Sequence, residues 1–160
     1  MGGWLTVTRK VVVCGPTNSG KTTLKKCWAQ MVGDTVPTMG FDKCRVFFGH
    51  AAVDLYDTGG VAEMQVVWST LALDAHAVIF VVDATRLSQS MSSLSEMNRY
   101  LYSATPILIF LNKQDLPNAV APSDLQGLTQ RWTRPFAVFG SSFAASEGLN
   151  AGLEWLLPHL

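Results

Sequence analysis

The strongest constraint in this chain is the segment Gly15-Pro16-Thr17-Asn18-Ser19-Gly20-Lys21-Thr22. Glycine, four residues, then Gly-Lys-Thr is the spacing of a P-loop. The unbroken apolar run Val11-Val12-Val13-Cys14 precedes it, and Leu24, Cys27, Trp28 and Met31 recur after it at helical spacing. Such a loop works only between a buried strand and a helix N-terminus. Glycine lets the backbone fold back with its N–H groups pointing inward as an anion-binding nest. The helix that begins near Gly20 adds the positive end of its dipole. Lys21 then reaches outer phosphates, and the Thr22 hydroxyl suits a magnesium ion.

The remaining chain alternates strand and helix. Residues 6–14 read as the first strand, and Gly33 ends the helix that follows the P-loop. Residues 36–40 (V-P-T-M-G) read as a loop, because Pro and Gly oppose a regular element. Residues 41–48 and 51–56 read as a hairpin turning at Gly49-His50. Asp57-Thr58-Gly59-Gly60 follows, and Met64, Val67, Trp68 and Leu71 can line one helix face. Residues 77–82 (A-V-I-F-V-V) form an apolar run expected of a central parallel strand. A helix carrying Leu87, Met91, Leu94, Met97 and Leu101 comes next. Residues 106–111 read as a buried strand leading into Asn112-Lys113-Gln114-Asp115. Ser123 is placed to cap a short helix through Leu128 and Trp132. Residues 136–139 are the last strand, and Leu149, Leu153, Trp155 and Leu156 belong to a closing helix.

This pattern predicts an α/β fold over residues 1–160, a single P-loop domain with a short arm at residues 1–8. Its sheet is mostly parallel and six-stranded with one antiparallel strand, and helices cover both faces. Ligands bind beyond the carboxyl ends of strands in such folds. The P-loop, D-T-G-G and N-K-Q-D all fall at such ends.

Composition narrows the class. Charged residues make up only 15%, which implies a face covered by a partner. Twelve basic residues balance twelve acidic ones, so no nucleic-acid footprint and no polybasic membrane patch is expected. Cys14, Cys27 and Cys44 have neither disulfide nor zinc spacing, which favours a reducing compartment and a core role. His50, His76 and His159 have no catalytic or metal spacing. Trp28, Trp68, Trp132 and Trp155 read as core or interface anchors. No segment has the length of a transmembrane helix, and no secretory signal precedes the first strand. The start, M-G-G-W-L-T, formally fits N-myristoylation at Gly2, although an ordinary N-terminus is the simpler reading.

Two motifs refine the ligand. Asp57, at the end of a strand, can hold a magnesium shell through water. Gly60 leaves room for its N–H to approach a terminal phosphate. Asp115 has two acceptor oxygens for the N1–H and exocyclic amine of guanine, a donor pair that adenine lacks. Asn112 can tie neighbouring loops together, and the Lys113 stem can cover the base plane.

The chain resembles the ADP-ribosylation factor and Arf-like small GTPases. The resemblance is carried by P-T-N-S-G-K-T-T, V-P-T-M-G-F-D, D-T-G-G, I-F-V-V-D, L-N-K-Q-D-L-P-N-A and G-L-N-A-G-L-E-W-L, and spans residues 9–157. It implies GTP and GDP as ligands, magnesium as cofactor, and a switch that recruits effectors, in settings such as vesicle trafficking. It implies that Gly15, Asn18, Ser19, Gly20, Lys21, Thr22, Thr23, Asn112, Lys113, Asp115, Ser142 and Phe143 contact the nucleotide. Thr22, Thr38 and, through water, Asp57 would serve the metal. Lys21, Thr38 and Gly60 would act on the third phosphate, and release of Thr38 and Gly60 would free two switch segments. Exchange factors, effectors and activating proteins would bind the switch and interswitch regions. A cytoplasmic protein, peripheral on membranes at most, is expected.

The departures are informative. The residue after D-x-G-G is normally a glutamine that orients the attacking water. Here it is Val61, which has no hydrogen-bonding group, so weak hydrolysis is expected. Gln65 reads as a solvated helix residue rather than a substitute. The N-terminal arm is too short for the family's amphipathic helix, and one acyl chain at Gly2 gives only marginal membrane binding. The effector-facing aromatic cluster maps to Phe41, Tyr56 and Leu71, one ring short. The last guanine loop maps to Ser142-Phe143-Ala144, without its usual small central residue. A GTPase-fold adaptor that does not hydrolyse is the alternative reading, and an ATP-using P-loop kinase is a weaker one that Asp115 opposes.

Overall fold

A computed structural model describes residues 7–32, 37–38, 42–57, 70–129 and 132–160. The first strand, β1 (Val7–Cys14), is buried over its last four residues, where both faces are covered. The P-loop joins it to α1 (Lys21–Val32). Next come β3 (Asp42–Phe48) and β4 (Ala51–Asp57), preceded at the edge by the two-residue β2 (Pro37–Thr38). Residues 70–72 are helical. The second half comprises β5 (Ala77–Asp83), α2 (Leu87–Asn98), β6 (Ile107–Asn112), α3 (Pro122–Thr129), β7 (Phe136–Gly140) and α4 (Leu149–Leu156).

The strands form one sheet in the order β2-β3-β4-β1-β5-β6-β7. Pairings β4–β1, β1–β5, β5–β6 and β6–β7 are parallel, while β3 runs antiparallel to both neighbours. The expected sheet is therefore present, with β3 as its one reversed strand. The difference is β2. Residues 36–40 were expected to be wholly loop, but Pro37 and Thr38 pair with Cys44 and Lys43. Proline is tolerated there because β2 is an edge strand.

The central strands alternate their side chains between two cores. Val12, Cys14, Val78, Phe80, Ile107 and Ile109 meet Leu94 and Met97 of α2 on one side. Val11, Val13, Ile79, Val81, Leu108 and Phe110 meet Leu24 and Trp28 of α1 and Leu149 and Leu156 of α4 on the other. This is the period-two alternation of a sheet covered on both faces. Cys14 belongs to the first core, where burial pushes its thiol far above the ordinary cysteine value. All three cysteines are free, which fits packing rather than redox chemistry.

Two helix ends differ from expectation. α2 stops at Asn98, before Leu101, because Arg99 and Tyr100 bond back to Glu96 and Met97 and tighten the end. Leu101 is buried all the same. α3 begins at Pro122, so Ser123 lies inside it rather than capping it. Proline suits a first helical position, where its missing N–H has no intrahelical partner to lose. Trp132 falls beyond α3 and packs edge-to-face on Phe136, 5.5 Å between ring centres.

Candidate functional site

β1 has β4 on one side and β5 on the other, so the chain leaves the sheet at β1 in a crevice between diverging connections. The P-loop fills that point. Gly15 has φ +142°, and a Cβ there would lie 2.2 Å from the Val81 carbonyl oxygen. Gly20 has φ +113°, and its Cβ would meet Asn112 Nδ2 at 2.3 Å. Both positions thus exclude side chains by space as well as by dihedral. Asn18 takes the left-handed region at φ 63°, which asparagine tolerates. The turn closes with Ser19 N donating to Pro16 O, and Leu24 N donating to Gly20 O starts the helix.

A cavity of about 730 Å³ opens at this end of the sheet. Its P-loop wall includes Asn18, Gly20, Lys21, Thr22 and Thr23. Lys21 is buried, and its ammonium donates to the carbonyl oxygens of Gly15 (2.8 Å) and Pro16 (2.7 Å). Burial pushes Lys21 below the ordinary lysine value, and the charge of Asp57 opposes that shift. The Ser19 hydroxyl is fully buried and has no hydrogen-bond partner among the described residues. Asp57 ends β4 opposite Val13 and lines the same cavity. Its Oδ2 is 3.1 Å from the ammonium of Lys25.

The opposite wall comes from the loop after β6. Asn112 Nδ2 donates to Ser19 O at 2.8 Å, while its Oδ1 accepts from Phe143 N at 3.0 Å. One side chain therefore joins the P-loop to the turn at Phe143–Ala145. Lys113 has φ 69° and donates to Asp83 Oδ2 at 2.8 Å. Burial acts to raise the Asp83 carboxyl, but Lys113 and Thr85 outweigh it and hold it below the ordinary carboxylate range. Asp115 is exposed and accepts from the Ser142 hydroxyl at 2.9 Å.

Phe143 shows how a large residue fits where a small one was expected. Its ring turns into the core and packs edge-to-face on Phe110, 5.2 Å between centres. Its N–H, expected at a guanine carbonyl, is donated to Asn112. The cavity wall continues at Ala144.

A family model described as "ADP-ribosylation factor family" matches residues 4–160. The chain belongs to the ADP-ribosylation factor family of small GTPases. It is 32% identical to ADP-ribosylation factor 3 of Arabidopsis thaliana, with 92% of this chain and 85% of that protein covered. It is 28% identical to ADP-ribosylation factor-like protein 1 of Saccharomyces cerevisiae, over the same shares. A solved structure of the Arl6 BBS3 small GTPase from Trypanosoma brucei, with bound nucleotide analogue GppNp, superposes with a TM-score of 0.73. That match is 29% identical and covers 95% of this chain and 96% of the other.

Gly2, Gly60, Val61, Gln65 and Trp68 lie outside the described residues, as does Phe41. Thr38 is in β2, with its backbone paired to Lys43. Of the remaining aromatic-cluster positions, Leu71 is buried and Tyr56 is half-buried. The ammonium groups of Lys10 and Lys43 lie 5.2 and 5.3 Å from the Tyr56 ring centre. Among the described residues, no helix is long and apolar enough to cross a membrane.

Two residues at the site were given no role by the motif reading. Asp83, which orients Lys113, stands at the end of the apolar I-F-V-V run. Lys25 sits on the buried stripe of α1 with Leu24 and Trp28, where a charged residue is out of place.

Proposed function

We propose that this protein binds GTP and GDP in the cavity between the P-loop and the loop after β6, and acts as a conformational switch. The observation that carries it is the Asn112 clamp, which ties the P-loop to the turn at Phe143 beside Asp115. Gly15, Asn18, Ser19, Gly20, Thr22 and Thr23 wrap the phosphates, and Lys21 turns from the loop carbonyls toward them. The orphaned Ser19 hydroxyl, buried beside Gly15, fits a site completed by a polar ligand. Asp115, aligned by Ser142, accepts the two guanine donors, and Lys113 covers the base. The carboxylate of Asp57 and the hydroxyl of Thr22 in one cavity are hard oxygen groups that suit magnesium. Thr22, Thr38 and, through water, Asp57 would hold it, and it would neutralise phosphate charge.

Thr38 and Gly60 sense the third phosphate, and the segments around them present effector, exchange-factor and activating-protein surfaces. A role in vesicle trafficking fits the family. Val61 favours slow hydrolysis, or an adaptor that keeps GTP. Nucleotide released from the purified protein and separated by chromatography tests the ligand. Guanine nucleotide is expected, and adenine nucleotide would overturn the assignment. Single-turnover hydrolysis of bound GTP then separates the two forms of the proposal. A rate no faster than that of free GTP would leave only the adaptor.

A further inference from the structure

Lys25 and Asp57 make a contact that the P-loop motif does not require. Lys25 lies one turn beyond Lys21 on α1, in the buried stripe with Leu24 and Trp28. Its ammonium is 3.1 Å from Asp57 Oδ2, and the two side chains are only 9% and 5% exposed. Charges this sheltered are weakly screened by salt, so each strongly affects whatever ion approaches the other. A lysine ammonium is a compact point charge with three donors, well matched to a single carboxylate oxygen.

We propose that Lys25 competes with the divalent cation for Asp57, so that magnesium retains nucleotide in this protein only at a raised concentration. The proposal rests on the guanine-nucleotide reading above. Magnesium gives up its waters reluctantly and reaches most carboxylates through them. A carboxylate already neutralised by a direct ammonium contact offers such a hydrated ion little attraction. The ammonium charge itself repels a divalent cation that approaches Asp57 from the cavity. It also supplies fixed positive charge beside Lys21, where a phosphate chain needs it. The weakened metal contact is thus offset by a cation belonging to the protein.

The test loads the full chain with a fluorescent GDP analogue and follows its release across a series of free magnesium concentrations. Lys25→Met removes the charge and keeps the stem, Lys25→Gln is a second neutral variant, and Lys25→Arg keeps the charge. Circular dichroism checks that each variant is folded. The magnesium concentration that half-suppresses release should fall about tenfold in Lys25→Met, equivalent to about 1.4 kcal/mol. Lys25→Gln should shift the same way, and Lys25→Arg should stay close to the unsubstituted protein. An unchanged half-point in both neutral variants would overturn the proposal and leave guanine binding intact. Failure of the unsubstituted protein to bind the analogue would overturn the guanine reading, and the proposal with it.

Discussion

The Ser142 hydroxyl donates a 2.9 Å hydrogen bond to Oδ1 of Asp115 across a gap of 27 residues in sequence. Ser142 is buried and Asp115 exposed, so a buried residue orients an exposed one. In the proposed complex, Asp115 accepts both guanine donors. Asp115→Asn replaces one acceptor with a donor, which opposes guanine but matches the 2-carbonyl of xanthine. GDP affinity should fall roughly 10- to 100-fold, the scale of one hydrogen bond to a charged group. Xanthosine diphosphate should gain. Isothermal titration with both nucleotides checks this, and equal GDP affinity in the variant would remove Asp115 from the base site.

Asn112→Ala should destabilise the protein even without ligand. It strips partners from the Ser19 carbonyl and the Phe143 N–H, both in the buried wall. Two buried unsatisfied groups cost about 2–6 kcal/mol together. Urea denaturation of nucleotide-free protein measures the loss. A change below about 0.5 kcal/mol, the scale of an ordinary surface substitution, would mean the clamp is not structural.

Val61→Gln should raise single-turnover GTP hydrolysis about tenfold or more, because a glutamine can orient water and a valine cannot. The measured quantity is phosphate released from preloaded protein. Equal rates would show that something other than Val61 limits the reaction.

The β3–β4 hairpin should carry an acid-sensitive contact. Asp54 accepts from Arg45 at 2.6 and 2.9 Å and pairs with Lys43 at 2.9 Å. The Arg45 hydrogen bond leads in holding its carboxyl below the ordinary value, against the opposing effect of burial, and Lys43 adds to it. A depressed folded pKa gives stability that is complete above the unfolded value of 3.8 and is lost as pH falls through the folded one. Asp54→Asn should therefore cost about 1–2 kcal/mol near neutral pH, discounted because Arg45 is partly solvated. The gap to the unsubstituted protein should close progressively below about pH 4. Thermal melts across that range decide it, and a pH-independent gap would assign the effect to packing instead.

How much of this was legible in the sequence depends on the range of each interaction. The P-loop was legible because its constraints are local: spaced glycines, an apolar strand before and an amphipathic helix after. The run 77–82 was legible because a strand buried on both faces must be apolar throughout. β2 was not, since two residues pair only when a neighbouring edge is offered to them. The end of α2 before Leu101 was hidden too, because apolar spacing continues past the point where the backbone tightens.

The sequence by itself determined the strand-loop-helix unit, the alternation that gives a mostly parallel sheet, and the polar motifs at strand ends. It also determined that Val61 cannot orient water, since that follows from the side chain alone. Tertiary structure decided which polar atoms meet. Asn112 reaches Ser19 across 93 residues, and Phe143 hides its ring against Phe110 beneath the P-loop. Lys25 finds Asp57 only because β4 lies beside β1 and α1 folds back over them. Such contacts leave no spacing in the chain. They arise where separate strands bring their carboxyl ends to one rim, and there a buried charge or amide takes the partner that the sheet places within reach.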